Sequence, residues 1–388
     1  MANKKEFLSI AIIFIGVLGV SSILLHDYLR GLEPSYGIYD KGGMIVAAVF
    51  VVIGLLSLVF NRYELCRKNA FFSAKVNFLQ AILVFVLVAT LCSVGGLLYG
   101  YYYHHPSVIT PPRNWSIGIY TSSSREPFDF AGEDVNNPVL TADDVTDVEA
   151  ILVADPFLVH ENGVFYMFFE VWNAVTNEGD IALAISNDGL NWSYQQVVLD
   201  EPFVLSYPCV FKWSDEYYMI PDSYQMKSVR LYKATNFPYG WSFVKTLLKG
   251  RDFVDNTIFH YDDTWWLFTE TRYNDLLCLY FADSPLGPWT EHVKSPVVEG
   301  NNNIARPGGN VVVFDDRVVR YAQDDYPYYG NQVWALEVTT LTREDYQEKR
   351  VGSKPILKGF DNWNTQGMHT ISACRLGPDK WIAGVDGY

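Results

Sequence analysis

The chain has 388 residues, enough for two or three modules at roughly 100–200 residues each. Its charge is unevenly divided: residues 1–112 hold eight Lys/Arg and five Asp/Glu, while the rest holds twenty-one against thirty-nine. A half that acidic repels phosphate, which excludes nucleic acid and anionic lipid as its ligands and leaves a neutral sugar, a cation, a metal or simple solubility.

The amino-terminal part is apolar. Three runs stand out, Phe7 to Leu25, Met44 to Phe60 and Phe78 to Tyr99, of 19, 17 and 22 residues. A helix rises 1.5 Å per residue, so the first and third can cross a hydrocarbon core of ~30 Å, and the second is a span by association with them. Lys4 and Lys5 precede the first run as in a signal peptide, but no small-residue cleavage site follows Leu25. The connector after the second run carries Arg62, Arg67, Lys68 and Lys75, which places it and the N-terminus in the cytoplasm and sends the acidic half to the other side. No ionisable residue interrupts the runs, so they predict an anchor (1–103), followed by a Pro-containing linker (104–112), rather than a transport path. The five cysteines, Cys66, Cys92, Cys209, Cys278 and Cys374, have no paired spacing and predict neither a zinc site nor a disulfide framework.

From residue 113 the pattern changes to short β-rich runs with an internal repeat. FYMFFE (165–170), YYMIPD (217–222), WWLFTE (265–270), VRYAQD (319–324) and WIAGVD (381–386) are bulky strands, each closing on a carboxylate: Glu170, Asp222, Glu270, Asp324 and Asp386. A polar turn precedes each, and before that turn comes another strand, starting at Asp155, Tyr207, Asp255, Arg306 and His369. These starts are 52, 48, 51 and 63 residues apart. A third strand follows the hairpin in the first four copies: IALAIS, VRLYKA, LLCLYFA and VWALEV. Such a period predicts an all-β five-bladed propeller over 113–388. The fifth copy lacks outer strands, and Trp115 to Tyr120 has no other partner, so it is expected to complete that blade and remove the free sheet edge. A β-sandwich, the main alternative, does not explain five equivalent hairpins.

In a propeller the first strand of each blade starts on the face where the second strand ends. That geometry gathers Asp155, Asp255, Arg306 and His369 with the five strand-end acids and Gln323 around one mouth. The acids suit ligand contact and equally suit bonding a neighbouring blade's amides. The first-strand residues change type between blades, which favours function over framework. Trp172, Tyr224, Tyr273 and Tyr326, just past the strand ends, are candidates for stacking on sugar faces.

The phrases ADPF, LSYPCVF, FPYGW, LGPWTEH, ARPGG and GMHT cover nearly all of 113–388. With them the chain resembles the five-bladed propellers of the family-43 glycoside hydrolases. It resembles more closely the N-terminal propeller domain of plant glucosamine inositolphosphorylceramide transferases and its stand-alone bacterial counterparts. The resemblance implies a base at Asp155, an auxiliary acid at Asp255 and a Glu acid at the start of blade four, where this chain has Arg306 instead. It leaves Glu170 or Glu270 to supply the proton, with Arg306, His369, Asp222, Asp324, Asp386 and Gln323 as substrate contacts. It implies no obligatory cofactor, although His369 resembles a histidine that approaches an axial calcium ion in some members. The expected partner is a carbohydrate or glycolipid, besides the bilayer around the three spans. Catalysis on a surface glycan and binding without catalysis both remain open.

Overall fold

The computed structural model describes residues 114–388 except 272, 273 and 361. The three apolar runs and the linker lie outside the described residues. Among the described residues no helix is long and apolar enough to cross a membrane.

The described residues form five antiparallel sheets. Blade one is β2 (Ala150–Glu161), β3 (Val164–Asn173), β4 (Glu178–Ser186) and β5 (Ser193–Leu199). Blade two is β6 (Ser206–Trp213), β7 (Glu216–Asp222), β8 (Ser228–Asn236) and β9 (Gly240–Lys249). Blade three is β10 (Phe253–Tyr261), β11 (Thr264–Thr271) and β12 (Leu276–Ala282), edged by the two-residue β13 (Thr290–Glu291) and β14 (Val298–Glu299). Blade four is β15 (Val312–Phe314), β16 (Arg317–Asp324) and β17 (Gln332–Leu341), with β18 (Tyr346–Arg350) and β19 (Leu357–Lys358) outermost. Blade five is β20 (Ile371–Gly377) and β21 (Lys380–Gly387), completed by β1 (Ser116–Ser122). The register Ser116 to Gly387 through Ser122 to Trp381 makes β1 the third strand of that blade, as its sequence led us to expect.

Bulky residues run almost continuously along the second strands because both faces of each blade are covered. The apolar clusters then fall between successive blades. Phe168, Leu183, Met219 and Tyr232 join one to two, and Ile220, Leu231, Leu267 and Tyr280 join two to three. Phe268, Leu279 and Val318 join three to four, and Tyr321, Val333, Trp381 and Val385 join four to five. Ile117, Ile119 and Ile382 meet Phe165, Met167 and Phe169 of blade one, which closes the ring. Each large apolar side chain buried this way contributes about 1.5–3 kcal/mol.

The innermost strands of blades one to three share one irregularity. Between Ala154 and Phe157, Ser206 and Cys209, and Val254 and Thr257, the inner strand uses three steps where its partner uses two. The inserted residue opens a bulge, which re-aims a side chain. In each case the residue just inside it is left-handed: Asp155 (φ 52°), Tyr207 (φ 45°) and Asp255 (φ 50°). Asp tolerates that region through local hydrogen bonding, whereas a bulky Tyr there is strained.

Blade four departs from the expected strand over 306–314, because only Val312–Phe314 is extended in the ladder. Pro307 has no amide to give and Gly308-Gly309 offers no side chain, leaving isolated bridges from Pro307 to Ala322 and Gly309 to Ile371.

Candidate functional site

The bulges and strand ends bring most of the sequence-selected residues to one end of the ring. Asp155, Glu170, Asp222, Asp255, Glu270, Gln323, Asp324, Asp386 and His369 are all buried, and the Arg306 side chain is 16% exposed. The acids do different things there.

Asp386 is a framework group and also orients a histidine. Its Oδ2 accepts the Asp155 amide at 2.9 Å, and its Oδ1 accepts the amides of His369 (3.2 Å) and Thr370 (2.9 Å). The same Oδ1 lies 2.8 Å from His369 Nδ1. His369 Nε2 then points toward Asp155 Oδ1, 3.8 Å away. Burial disfavours the charged imidazole, but the Asp386 and Asp155 carboxylates outweigh it and push the pKa up to about 9. His369 is an imidazolium at neutral pH.

Asp255 is held from two sides. Arg306 reaches it through Nε (2.5 Å to Oδ2) and more loosely through a terminal nitrogen (3.4 Å to Oδ1), and Gln323 Nε2 donates to Oδ2 at 2.7 Å. Arg306 also donates to Asn274 Oδ1 at 2.9 Å and lies 5.1 Å from the Tyr329 ring centroid.

Asp222, Glu270 and Asp324 cap the loops that follow their own strands. Asp222 accepts the Tyr224 amide at 2.8 Å, Glu270 the Asp275 amide at 3.0 Å, and Asp324 the Tyr326 amide at 3.2 Å. Asp324 also takes Asn303 (2.6 Å), Gln332 (2.7 Å) and the Trp334 indole (2.9 Å). Glu270 Oε2 is buried without a partner, and burial pushes this carboxyl well above the usual carboxylate range, opposed by Arg306 and reinforced by Asp255.

Asp155 and Glu170 remain as a pair. Thr370 Oγ1 donates to Asp155 Oδ1 at 2.7 Å. Burial lifts Asp155 to about 6, with His369 opposing and Asp386 and Asp255 adding to the rise. Glu170 is pushed well above the usual carboxylate range, by burial first and then by Asp155, Asp222 and Asp255, and Asp155 is also its hydrogen-bond neighbour. Of the two, Glu170 is the carboxyl that burial and its acidic neighbours push furthest toward the protonated form.

Several residues at the mouth were not singled out from sequence. Trp115 stacks on His369 with centroids 4.1 Å apart, and Tyr388 and Tyr329 flank them at 4.4 Å from Trp115 and 5.3 Å from His369. Asp325, Thr370 and Asn274 were missed too, since nothing in a β-repeat marks loop residues that fold back over the channel. Tyr207, the start of blade two, plugs the interior: its hydroxyl bonds the Gly309 carbonyl (2.9 Å) and amide (2.6 Å). Of the proposed stacking aromatics, Trp172 is half-buried against the Trp115 cluster, Tyr224 sits in the capped 3-10 turn Tyr224–Met226, and Tyr326 is exposed. Tyr273 lies outside the described residues.

Among the described residues one group could hold a metal: ligand atoms of Asp155, His369 and Asp386 lie within 4.8 Å of one another. They fit calcium poorly. Asp386 already accepts three amides and contacts the His369 ring nitrogen, and calcium takes six to eight oxygens, of which this group has few left to offer.

Five sheets closed by a strand from the other end, around a buried acid-rich mouth, define a five-bladed β-propeller. The chain belongs to the family described as glucosamine inositolphosphorylceramide transferase 1, N-terminal, which matches residues 112–388. Among its relatives are proteins named glucosamine inositolphosphorylceramide transferase 1. The one from Oryza sativa subsp. japonica is 36% identical over 297 residues, covering 71% of this chain and 40% of that protein. The one from Arabidopsis thaliana is 33% identical over 299 residues, covering 71% and 39%. The chain thus spans about two fifths of the length of these relatives. Similar solved structures include a glycosyl hydrolase from Bacteroides ovatus (TM-score 0.49, 11% identity, 66% of this chain and 93% of that one). Another is a family 117 glycoside hydrolase from Zobellia galactanivorans (TM-score 0.44, 16% identity, 71% and 90%).

Proposed function

We propose that this is a membrane-anchored, carbohydrate-active propeller that acts on or transfers the sugar of a surface glycan or glycolipid. In this reading residues 1–103 anchor the chain, 104–112 link, and 113–388 stand outside the cytoplasm. One arrangement carries the chemistry: Asp155 and Glu170 are buried hydrogen-bond neighbours at the mouth, where burial and mutual repulsion raise the Glu170 carboxyl well above the usual carboxylate range and Asp155 to about 6. Two neighbouring carboxyls, one pushed further toward the protonated form than the other, are what an acid and its partner base require. Glu170 then gives a proton to the leaving oxygen, and Asp155 acts as base or nucleophile. His369 and Thr370 keep Asp155 oriented, Arg306 and Gln323 hold Asp255, and Trp115, Tyr329 and Tyr388 wall the site. Family membership supports the sugar, since the relatives are named for transfer of glucosamine to a sphingolipid headgroup.

A second reading, binding without catalysis, is favoured by the pairing of Asp255 with Arg306, which ties up the auxiliary acid and puts a cation where the acid of blade four was expected. Glycan cleavage or transfer by the full chain in detergent, over a broad panel, separates the two. Catalysis predicts that Asp155→Asn and Glu170→Gln each lower turnover ~10²–10⁴-fold with little loss of affinity. A wild type that binds and never turns over establishes the second reading. One that does neither ends the carbohydrate assignment.

A further inference from the structure

The two faces of the ring differ in what the loops flanking their second strands expose. On the face opposite the mouth, the turns between first and second strands expose Asp215, Asp262, Asp263, Asp315, Asp316 and Asp379, with Lys212 beside Asp215 and Arg125 and Arg375 on Asp315, and the loops after β4 and β8 expose Leu190 and Tyr239. On the mouth face, the loops after the second strands expose apolar side chains instead. Val175 follows β3 and is 77% exposed, Met226 follows β7, and Tyr326 and Tyr328 follow β16. Phe360, 76% exposed, lies in the segment that leads from β19 to β20 on the same face. Four separate loops thus raise exposed apolar residues around one opening. The one acid in the loop 325–331, Asp325, is turned inward and bonds the Gly330 amide.

The chain also enters the ring on this face. Trp115 stacks on His369, and Ser116 pairs with Gly387 at the mouth end of β21. In the sequence the third apolar run ends at Tyr99, fifteen residues before Asn114, and fifteen residues reach at most about 50 Å.

We infer that the mouth rim docks onto the lipid surface of the membrane that anchors the chain, so the sugar reaching Asp155 and Glu170 is one carried on a lipid headgroup. This rests on the anchor and sugar site proposed above. Apolar side chains on loop tips gain by entering the headgroup–acyl boundary, as interfacial anchors do. The charged turns of the far face are then directed away from the lipid, and their charges stay in water. A tether leaving from the docking face keeps the rim within reach of the bilayer.

The test uses the full chain reconstituted in phosphatidylcholine vesicles, with a nitroxide-bearing amino acid in place of Val175, Phe360 or, as control, Asp263. Collision with oxygen, which concentrates in lipid, is compared with collision with a water-soluble nickel chelate. We expect the oxygen-to-nickel ratio to be several-fold higher at 175 and 360 than at 263. Equal ratios at all three, or a higher ratio at 263, overturn the proposal. So does a rim shielded from both reagents, which marks a protein partner instead. In addition, Met226→Ser with Phe360→Ser should cut binding or turnover of a vesicle-borne glycolipid at least several-fold and leave a soluble oligosaccharide of the same sugar unaffected. Equal loss on both substrates refutes it. Rim docking without any sugar binding leaves this inference standing and removes the sugar reading beneath it.

Discussion

Arg306 closes on Asp255: the start of blade four supplies a guanidinium 2.5 Å from the carboxylate that opens blade three. The resemblance led us to expect an acid at the first of these positions, and the sequence showed a cation there that was read as a substrate contact. The structure gives that cation a partner inside the protein. Arg306 also touches Asn274 and lies over Tyr329, so it ties blade three, blade four and a mouth loop together.

Removing one member of a buried pair leaves the other charge without compensation. Arg306→Ala should therefore destabilise the propeller by ~3–5 kcal/mol in denaturant melts. Adding Asp255→Asn should recover part of that loss, because the stranded charge is gone. If the double variant is less stable than Arg306→Ala by the full cost of Asp255→Asn alone, the two residues act independently and the pair has no structural weight.

His369 makes stability depend on pH. Its folded pKa of about 9 exceeds the ordinary 6.5, so its contribution is fully present below about pH 6.5 and is lost as the pH rises through 9. The Tm difference between wild type and His369→Gln should be largest near pH 6 and shrink toward pH 10. A difference that is flat or grows over this range shows that His369 is buried neutral.

The repeat was legible because each blade must bury both faces, which writes a bulky strand ending in a carboxylate into the sequence five times. Closure by 115–120 was legible for the same reason, since an unpaired strand and an incomplete blade need each other. Partners within the mouth were not. That Asp255 meets Arg306, or that Asp386 spends its oxygens on the amides of 155, 369 and 370, depends on bulges and loop paths spread over more than two hundred residues. The strained φ of Tyr207 has no sequence signal, because the period marks its position and says nothing of its backbone.

Gly309 should tolerate no side chain. Its φ is 131°, and a Cβ would lie 1.7 Å from the Ile371 carbonyl oxygen, a backbone atom that cannot swing away. Its amide and carbonyl both bond Tyr207, so a shift there also disturbs the channel plug. Gly309→Ala should cost more than ~4 kcal/mol, among the largest single-residue effects, or prevent folding. Gly250→Ala is the control, because its φ of 108° is also unfavourable but nothing lies within 4 Å of its Cβ. Equal losses at the two sites would show that strain, rather than the close approach of blades four and five, sets the cost.

Trp115 joins ring closure to the site. It is buried beside Leu152 and Ala154 of blade one, stacks on His369 of blade five, and packs against Tyr388. Trp115→Ala should remove ~3–5 kcal/mol of packing. It should also admit water over the imidazolium and remove an indole face that favours its charge. Desolvation now opposes that charge, while Asp386 and Asp155 favour it, and water weakens both influences. The His369 pKa should accordingly fall from about 9 toward 6.5, and the pH window of stability should narrow from above. Trp115→Phe keeps a ring over His369 and should restore most of the pKa with only part of the stability. Denaturant melts of the three proteins at pH 6, 8 and 10 measure both effects. If Trp115→Ala loses stability equally at all three values, the indole only packs, and His369 owes its charge to the carboxylates alone.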